Sequence, residues 1–216
     1  MLHLHYYPST AAMAPHIILQ ELGVPFELVL VDRPADAHKS PEYLKLNPNG
    51  LIPVLTDGDL VLYETAAICL YLCDMHPQAK LAPAVGSVER AHFYKWLIWL
   101  TNTLQATLIT YFYPERSVSP GNAAGAAEVK AQAECKVGAM LDQLDAELAR
   151  HGGPWLLGQN YSALDPYAMM LGRWTRGFAS APARTRPHLG PYLQTMLARP
   201  AVQRVFATEK LVQPWV

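Results

Sequence analysis

Two small hydroxyls, Ser9 and Thr10, stand in the stretch YYPSTAAMAPH at residues 6–16. Pro15 says where they lie. A proline is comfortable in a helix only in the first turn, where its missing N–H has no partner to lose. The following helix therefore does not begin much before Ala12, and Ser9, Thr10 and Ala11 occupy the loop ahead of it. Hydroxyls beside the free N–H groups of a helix N-terminus suit an anion or a thiolate. A second junction of this kind is YET at 63–65, where Glu64 and Thr65 stand at a change from strand to helix. Its free N–H groups can hold a carboxylate, and Glu64 can meet an ammonium. Structural roles compete at both places: Thr10 as a plain helix-entry hydroxyl, Glu64 complementing the helix dipole and Thr65 capping it.

The elements that position these residues follow from periodicity. LHLHYY alternates as a half-buried strand, turning Tyr6 to the same face as Leu2 and Leu4, toward a core. APHIILQELG places Ile17, Ile18, Glu21 and Leu22 at helical spacing, with Gly23 as its stop. PFELVLVD is a second strand, completing a β-α-β unit with a right-handed crossover. After a loose segment comes LIPVL, whose Pro53 starts a strand where its missing N–H costs the ladder little. Asp57-Gly58 then signals a hairpin into LVLY, and a helix with Ile68, Leu70, Tyr71 and Leu72 runs to His76-Pro77.

Beyond residue 78 the pattern changes. Residues 79–86 have the prolines and small residues of a linker, and 87–216 read as helix almost throughout. Phe93, Leu97, Leu100, Leu104 and Leu108 form one apolar stripe, and Val137, Leu141, Leu144 and Leu148 another. Ser162-x-x-Asp165 has the spacing of a capping box that opens a further helix.

Composition bounds the partners. The chain has 216 residues, 51% apolar and 16% charged, which is the balance of a folded globular protein. A net charge of −1 gives no electrostatic case for nucleic acid or an anionic membrane, and no run is long enough to cross a bilayer. Cys69 and Cys73, four apart, share a helix face and suit packing; with Cys135 they are too few for a disulfide framework, which points to the cytoplasm.

The α/β N-terminal part, the all-helical remainder, and the motifs LNPNGLIPVLTDGDLVLYETAAICLYL, YSALDPYAMMLGRW and MLARPAVQ together resemble the cytosolic glutathione transferases, nearest to the bacterial beta-like branch. The resemblance implies a thioredoxin-like domain over 1–78, a helical domain over 87–216 and a homodimer, with no metal. It implies a cis Ile52-Pro53 bond that turns the Ile52 backbone to the cysteinyl part of glutathione. Glu64 and Thr65 take the γ-glutamyl end, and Lys39 or His38 meets the glycyl carboxylate. Beta-like members carry a cysteine where this chain has Ala11 and commonly a serine where it has Ala12, so the thiolate donor shifts to Thr10 first and Ser9 second. A histidine of that branch aligns with Gln105, which cannot shuttle protons near neutral pH. Gln105, Tyr113 and Trp174 are the residues expected to line an apolar electrophile pocket, and Asn102 to reach a partner's glutathione across a dimer.

Three activities fit these residues. The first is conjugation of the glutathione thiolate to small apolar electrophiles; the second is a weakly catalytic binding or interaction protein. The third is a glutathione-dependent reductase or isomerase, since fold alone does not fix chemistry.

Overall fold

A computed structural model describes residues 1–216. The chain forms two compact units, Met1–Pro83 with Leu197–Val212, and Ala84–Met196 with Gln213–Val216.

In the first unit, β1 (Leu2–Tyr6), α1 (Met13–Leu22) and β2 (Phe26–Leu30) form the expected β-α-β unit, with β1 and β2 parallel. α2 (Pro41–Leu46), β3 (Val54–Asp57), β4 (Leu60–Tyr63) and α3 (Thr65–Met75) follow, giving a mixed sheet in the order β2-β1-β3-β4. Gly23 ends α1 in the left-handed region at φ 64°, as its missing Cβ allows. The β3–β4 turn lies one residue later than the expected Asp57-Gly58. Asp57 pairs with Leu60 as the last rung, so Gly58-Asp59 is the turn. Gly58, at φ 57°, takes the first central position, which needs positive φ in a tight hairpin.

The two faces of the sheet pack differently. Leu4 lies opposite Leu55, both fully buried, on the face shared with Ile17, Ile18, Ile68 and Leu72 of α1 and α3. His5 lies opposite Val54 on the other face, where Val54 packs with Val31 and Tyr43, and the Tyr43 ring meets His5 edge-on. Residues 197–212, read from the sequence as part of the helical region, pack in this unit. Their helix α9 (Pro200–Thr208) lies along α1, tied by Arg199 Nε to Glu21 Oε1 at 2.6 Å and Arg204 Nε to Gln20 Oε1 at 2.7 Å.

The second unit is helical. α4 (Val88–Trp99) and α5 (Ala106–Phe112) are one continuous rod that widens to π-type hydrogen bonding over Leu100–Gln105. α6 (Ala123–His151), α7 (Leu164–Trp174) and α8 (Leu189–Leu197) complete it. The two predicted leucine stripes are buried, and α7 is buried on every side. Asp165 opens α7 as expected: its carboxylate accepts the Ser162 N–H at 2.8 Å, the Leu156 N–H at 2.9 Å and the Tyr192 hydroxyl at 3.0 Å. No helix is long and apolar enough to cross a membrane.

Candidate active site

Strand register gathers the predicted residues of the first unit at one end of the sheet. His5 pairs with Val54 and Val54 with Tyr63, so the exit of β1, the entry of β3 and the exit of β4 are neighbours. Ser9 and Thr10 follow β1, Ile52 and Pro53 precede β3, and Glu64 and Thr65 follow β4. The loop bearing His38 and Lys39 leaves β2 at the same end, since Tyr6 pairs with Leu30.

Two residues there have unusual backbones. Ser9 sits at φ 62° and Glu64 at φ 73°, a region that L side chains enter at a cost on the order of 1–3 kcal/mol. Such strain persists only where the surroundings impose it, and it concentrates at binding sites. The Glu64 side chain is exposed and caps nothing. The first helical bond of α3 runs from the Ile68 N–H to the Glu64 carbonyl, which leaves the Thr65, Ala66 and Ala67 N–H groups free for an acceptor. Thr65 is buried.

In the turn before α1 the two hydroxyls differ. Thr10 Oγ1 donates its hydrogen to the Tyr7 carbonyl at 2.6 Å and accepts the Ala12 N–H at 3.4 Å. The Ser9 side chain has no hydrogen-bond partner in the chain, so its proton is available. Ala11 and Ala12 are buried methyl groups with nothing to donate. Burial, with the Glu209 carboxylate second, raises the pKa of Tyr6 above the ordinary phenol value, so its hydroxyl stays neutral.

The Ile52-Pro53 bond is cis. Its approach is fixed by two residues that sequence reading missed. The Tyr43 hydroxyl and the Asn47 amide each donate to the Leu51 carbonyl at 2.8 Å, and Asn47 Oδ1 accepts the Asn49 N–H at 3.0 Å. A buried Asn in NPNG was the available signal. Lys39 is exposed and pairs with Asp36 at 2.9 Å, whereas His38 is largely covered and its Nδ1 has no partner.

A further missed residue is Glu209, just beyond α9. It lies 200 residues from Ser9 yet accepts the Ser9 N–H at 2.8 Å through Oε2, while Oε1 meets His16 Nδ1 at 2.9 Å. Both side chains are fully buried. No local sequence pattern marks it.

In the helical unit, Gln105 lies in the π-type turn and its Oε1 accepts the Tyr167 hydroxyl, which leaves its amide N–H groups as the outward function. Trp174 is buried with its ring edge-on to Phe112, and its indole N–H has no partner. Tyr113 lies under the Arg116 guanidinium at 4.0 Å, and Asn102 is exposed. No group of His, Cys, Asp and Glu side chains is arranged to hold a metal.

The chain is similar to known proteins over nearly its whole length. Residues 8–75 match the family model for the glutathione S-transferase N-terminal domain, and 100–200 match the one for its C-terminal domain. Glutathione S-transferase 3 of Zea mays is 33% identical, over 91% of this chain and 89% of its own. A glutathione transferase homologue from Sulfitobacter, solved with bound glutathione, has a TM-score of 0.88 at 27% identity, over 98% of this chain and 99% of its own. The beta-class glutathione S-transferase of Sphingomonas chungbukensis has a TM-score of 0.82 at 30% identity, over 97% and 100%.

Proposed function

Because the chain belongs to the glutathione S-transferase family, we propose that it binds glutathione at the strand-end site and transfers its thiolate to small apolar electrophiles. The observation that carries this reading is the convergence of Ser9, the cis Ile52-Pro53 bond and the Glu64–Thr65 helix start at one end of one sheet. The Ile52 backbone pairs with the cysteinyl residue in strand fashion. The γ-glutamyl carboxylate meets the free N–H groups of α3 and the Thr65 hydroxyl, and Glu64 meets the ammonium. The glycyl carboxylate goes to the His38–Lys39 loop, where both side chains lie beside Asp36, His38 Nε2 at 4.0 Å and Lys39 Nζ at 2.9 Å.

The chemistry is thiolate stabilisation. A free thiol has a pKa of about 8.5, and lowering it by about two units takes roughly 2.7 kcal/mol. A hydroxyl donating to the sulfur and the N-terminus of α1 supply much of that. Ser9 is ranked ahead of Thr10 in this reading, supported by the Thr10 proton already lying on the Tyr7 carbonyl. Ala11 and Ala12 offer the beta-class cysteine no substitute, so the reactive sulfur is that of glutathione and not of the protein. In the helical unit, Trp174, Tyr113 and Gln105 receive the electrophile. The protein works as a cytoplasmic homodimer, and none of its three cysteines is joined in a disulfide.

Calorimetric titration with glutathione, followed by conjugation of a dinitrohalobenzene, tests this. Binding and turnover are expected; no heat at millimolar glutathione would sink the reading. Binding without turnover leaves the non-catalytic alternative in its place.

A further inference from the structure

The serine turn contains three locally unfavourable features that are resolved together. Ser9 has a positive φ that its own side chain does not favour. Glu209 is a carboxylate removed from water, a costly burial unless it is well paired. It also lies at the C-terminus of α9, the end of a helix dipole that disfavours negative charge. Sequences that break local rules in one place do so where the arrangement serves a site. Here one carboxylate bridges the two elements that define the turn, the Ser9 N–H and His16 Nδ1 on the second turn of α1. His16 is itself held edge-on between Tyr6 and Phe26.

We propose that Glu209 is a positioning residue of the glutathione site, reaching from the end of α9 to hold Ser9 and α1 in the geometry that presents the Ser9 hydroxyl to the glutathione sulfur. The proposal rests on the reading of Ser9 as thiolate donor. Glu209 touches no substrate; it acts through the Ser9 backbone. The ties of α9 to α1 through Arg199 and Arg204 keep the carboxylate in register with the turn.

The test is the ionisation of bound glutathione, followed by ultraviolet thiolate absorbance across pH, in Ser9→Ala, Glu209→Ala, Glu209→Gln and the Ser9→Ala/Glu209→Ala double variant. Glu209→Ala is expected to raise the bound thiol pKa by about half a unit or more and to lower kcat with little change in glutathione KM. Glu209→Gln, which keeps an oxygen for the Ser9 N–H, recovers most of that change. It is also the variant to read if Glu209→Ala fails to fold. In the Ser9→Ala background the Glu209 substitution adds no further shift. A thiol pKa unchanged or lowered in Glu209→Ala overturns the proposal, as does an additive effect in the double variant. If Ser9→Ala alone leaves the thiol pKa unchanged, the serine assignment fails first and takes the proposal with it. If Ser9→Ala raises it and neither Glu209 variant does, only the proposal fails.

Discussion

The hydroxyl of Thr10 donates to the carbonyl of Tyr7 at 2.6 Å, closing the turn that carries it. A hydroxyl has one proton to give, so a Thr10 held this way cannot also donate to a sulfur. Its neighbour Ser9, with an unengaged side chain, can. Ser9→Ala is therefore expected to lower kcat/KM for a dinitrohalobenzene by about 10- to 100-fold, the worth of a hydrogen bond to a charged atom. Thr10→Ala should lose about 1 kcal/mol of stability and much less rate. A larger rate loss in Thr10→Ala than in Ser9→Ala would restore the order that spacing alone suggests.

Glu64 makes a separable prediction, because its side chain and its backbone do different things. In the proposed site the exposed carboxylate is assigned to the γ-glutamyl ammonium, and the backbone at φ 73° is strained. Glu64→Ala and Glu64→Gly should both weaken glutathione binding, by roughly tenfold or more. Glycine tolerates positive φ, so Glu64→Gly should be the more stable of the two by about 1 kcal/mol. Calorimetry and chemical denaturation read the two effects independently. Wild-type affinity in Glu64→Ala would remove Glu64 from the site.

How much of this was legible in sequence depends on the range of the interaction. Periodicity located β1, α1, the hairpin strands and the buried stripes, because burial on one face imposes period two or 3.6 directly on the residues. The cis Ile52-Pro53 bond came with the family resemblance and not from the prolines themselves. The hairpin turn moved by one residue because Asp57 still had a rung to make with Leu60. Ser9 and Thr10 were found by type, yet their ranking needed the Tyr7 carbonyl, whose direction no pattern encodes. Glu209 was out of reach: an acid after a terminal helix reads as solvated, and its partner lies 200 residues away. The π-type widening at Gln105 likewise left no mark on the apolar stripe, which continues through it.

The Leu51 carbonyl takes hydrogens from both Tyr43 and Asn47, one residue before the Ile52 backbone proposed to pair with glutathione. Tyr43→Phe leaves the Asn47 bond in place and should cost about 1 kcal/mol. Asn47→Ala strips a partner from Leu51 and from the Asn49 N–H in a part-buried setting, and should cost more, about 1–2 kcal/mol. Both should raise KM for glutathione more than they lower kcat, since the loop aligns substrate and does not ionise it. A kcat loss at unchanged KM in Asn47→Ala would contradict that division.

Asp165 predicts a pH dependence of stability. Its carboxyl is fully buried, and burial outweighs the hydrogen bonds from Leu156, Ser162 and Tyr192, raising its pKa from 3.8 to about 6. Well below pH 3.8 the group is neutral whether the chain is folded or not, so it contributes no pH dependence there. Between the unfolded and folded values the folded state keeps a proton that the unfolded state has lost, and stability falls as pH rises through this window. The fall is on the order of 3 kcal/mol and is complete above the folded pKa. Asp165→Asn cannot titrate, so the other acids cancel when its unfolding free energy is subtracted from the wild type's. Asparagine fits the three N–H and O–H donors poorly and should begin as the less stable protein at pH 4. The difference should then shift in favour of Asp165→Asn by about 2 kcal/mol between pH 4 and pH 7. A difference that stays flat, or moves toward the wild type as pH rises, would mean that the donors at the start of α7 hold the carboxylate ionised against its burial. Conjugation by the folded fraction should be unchanged, because Asp165 fixes the start of a helix and touches no substrate.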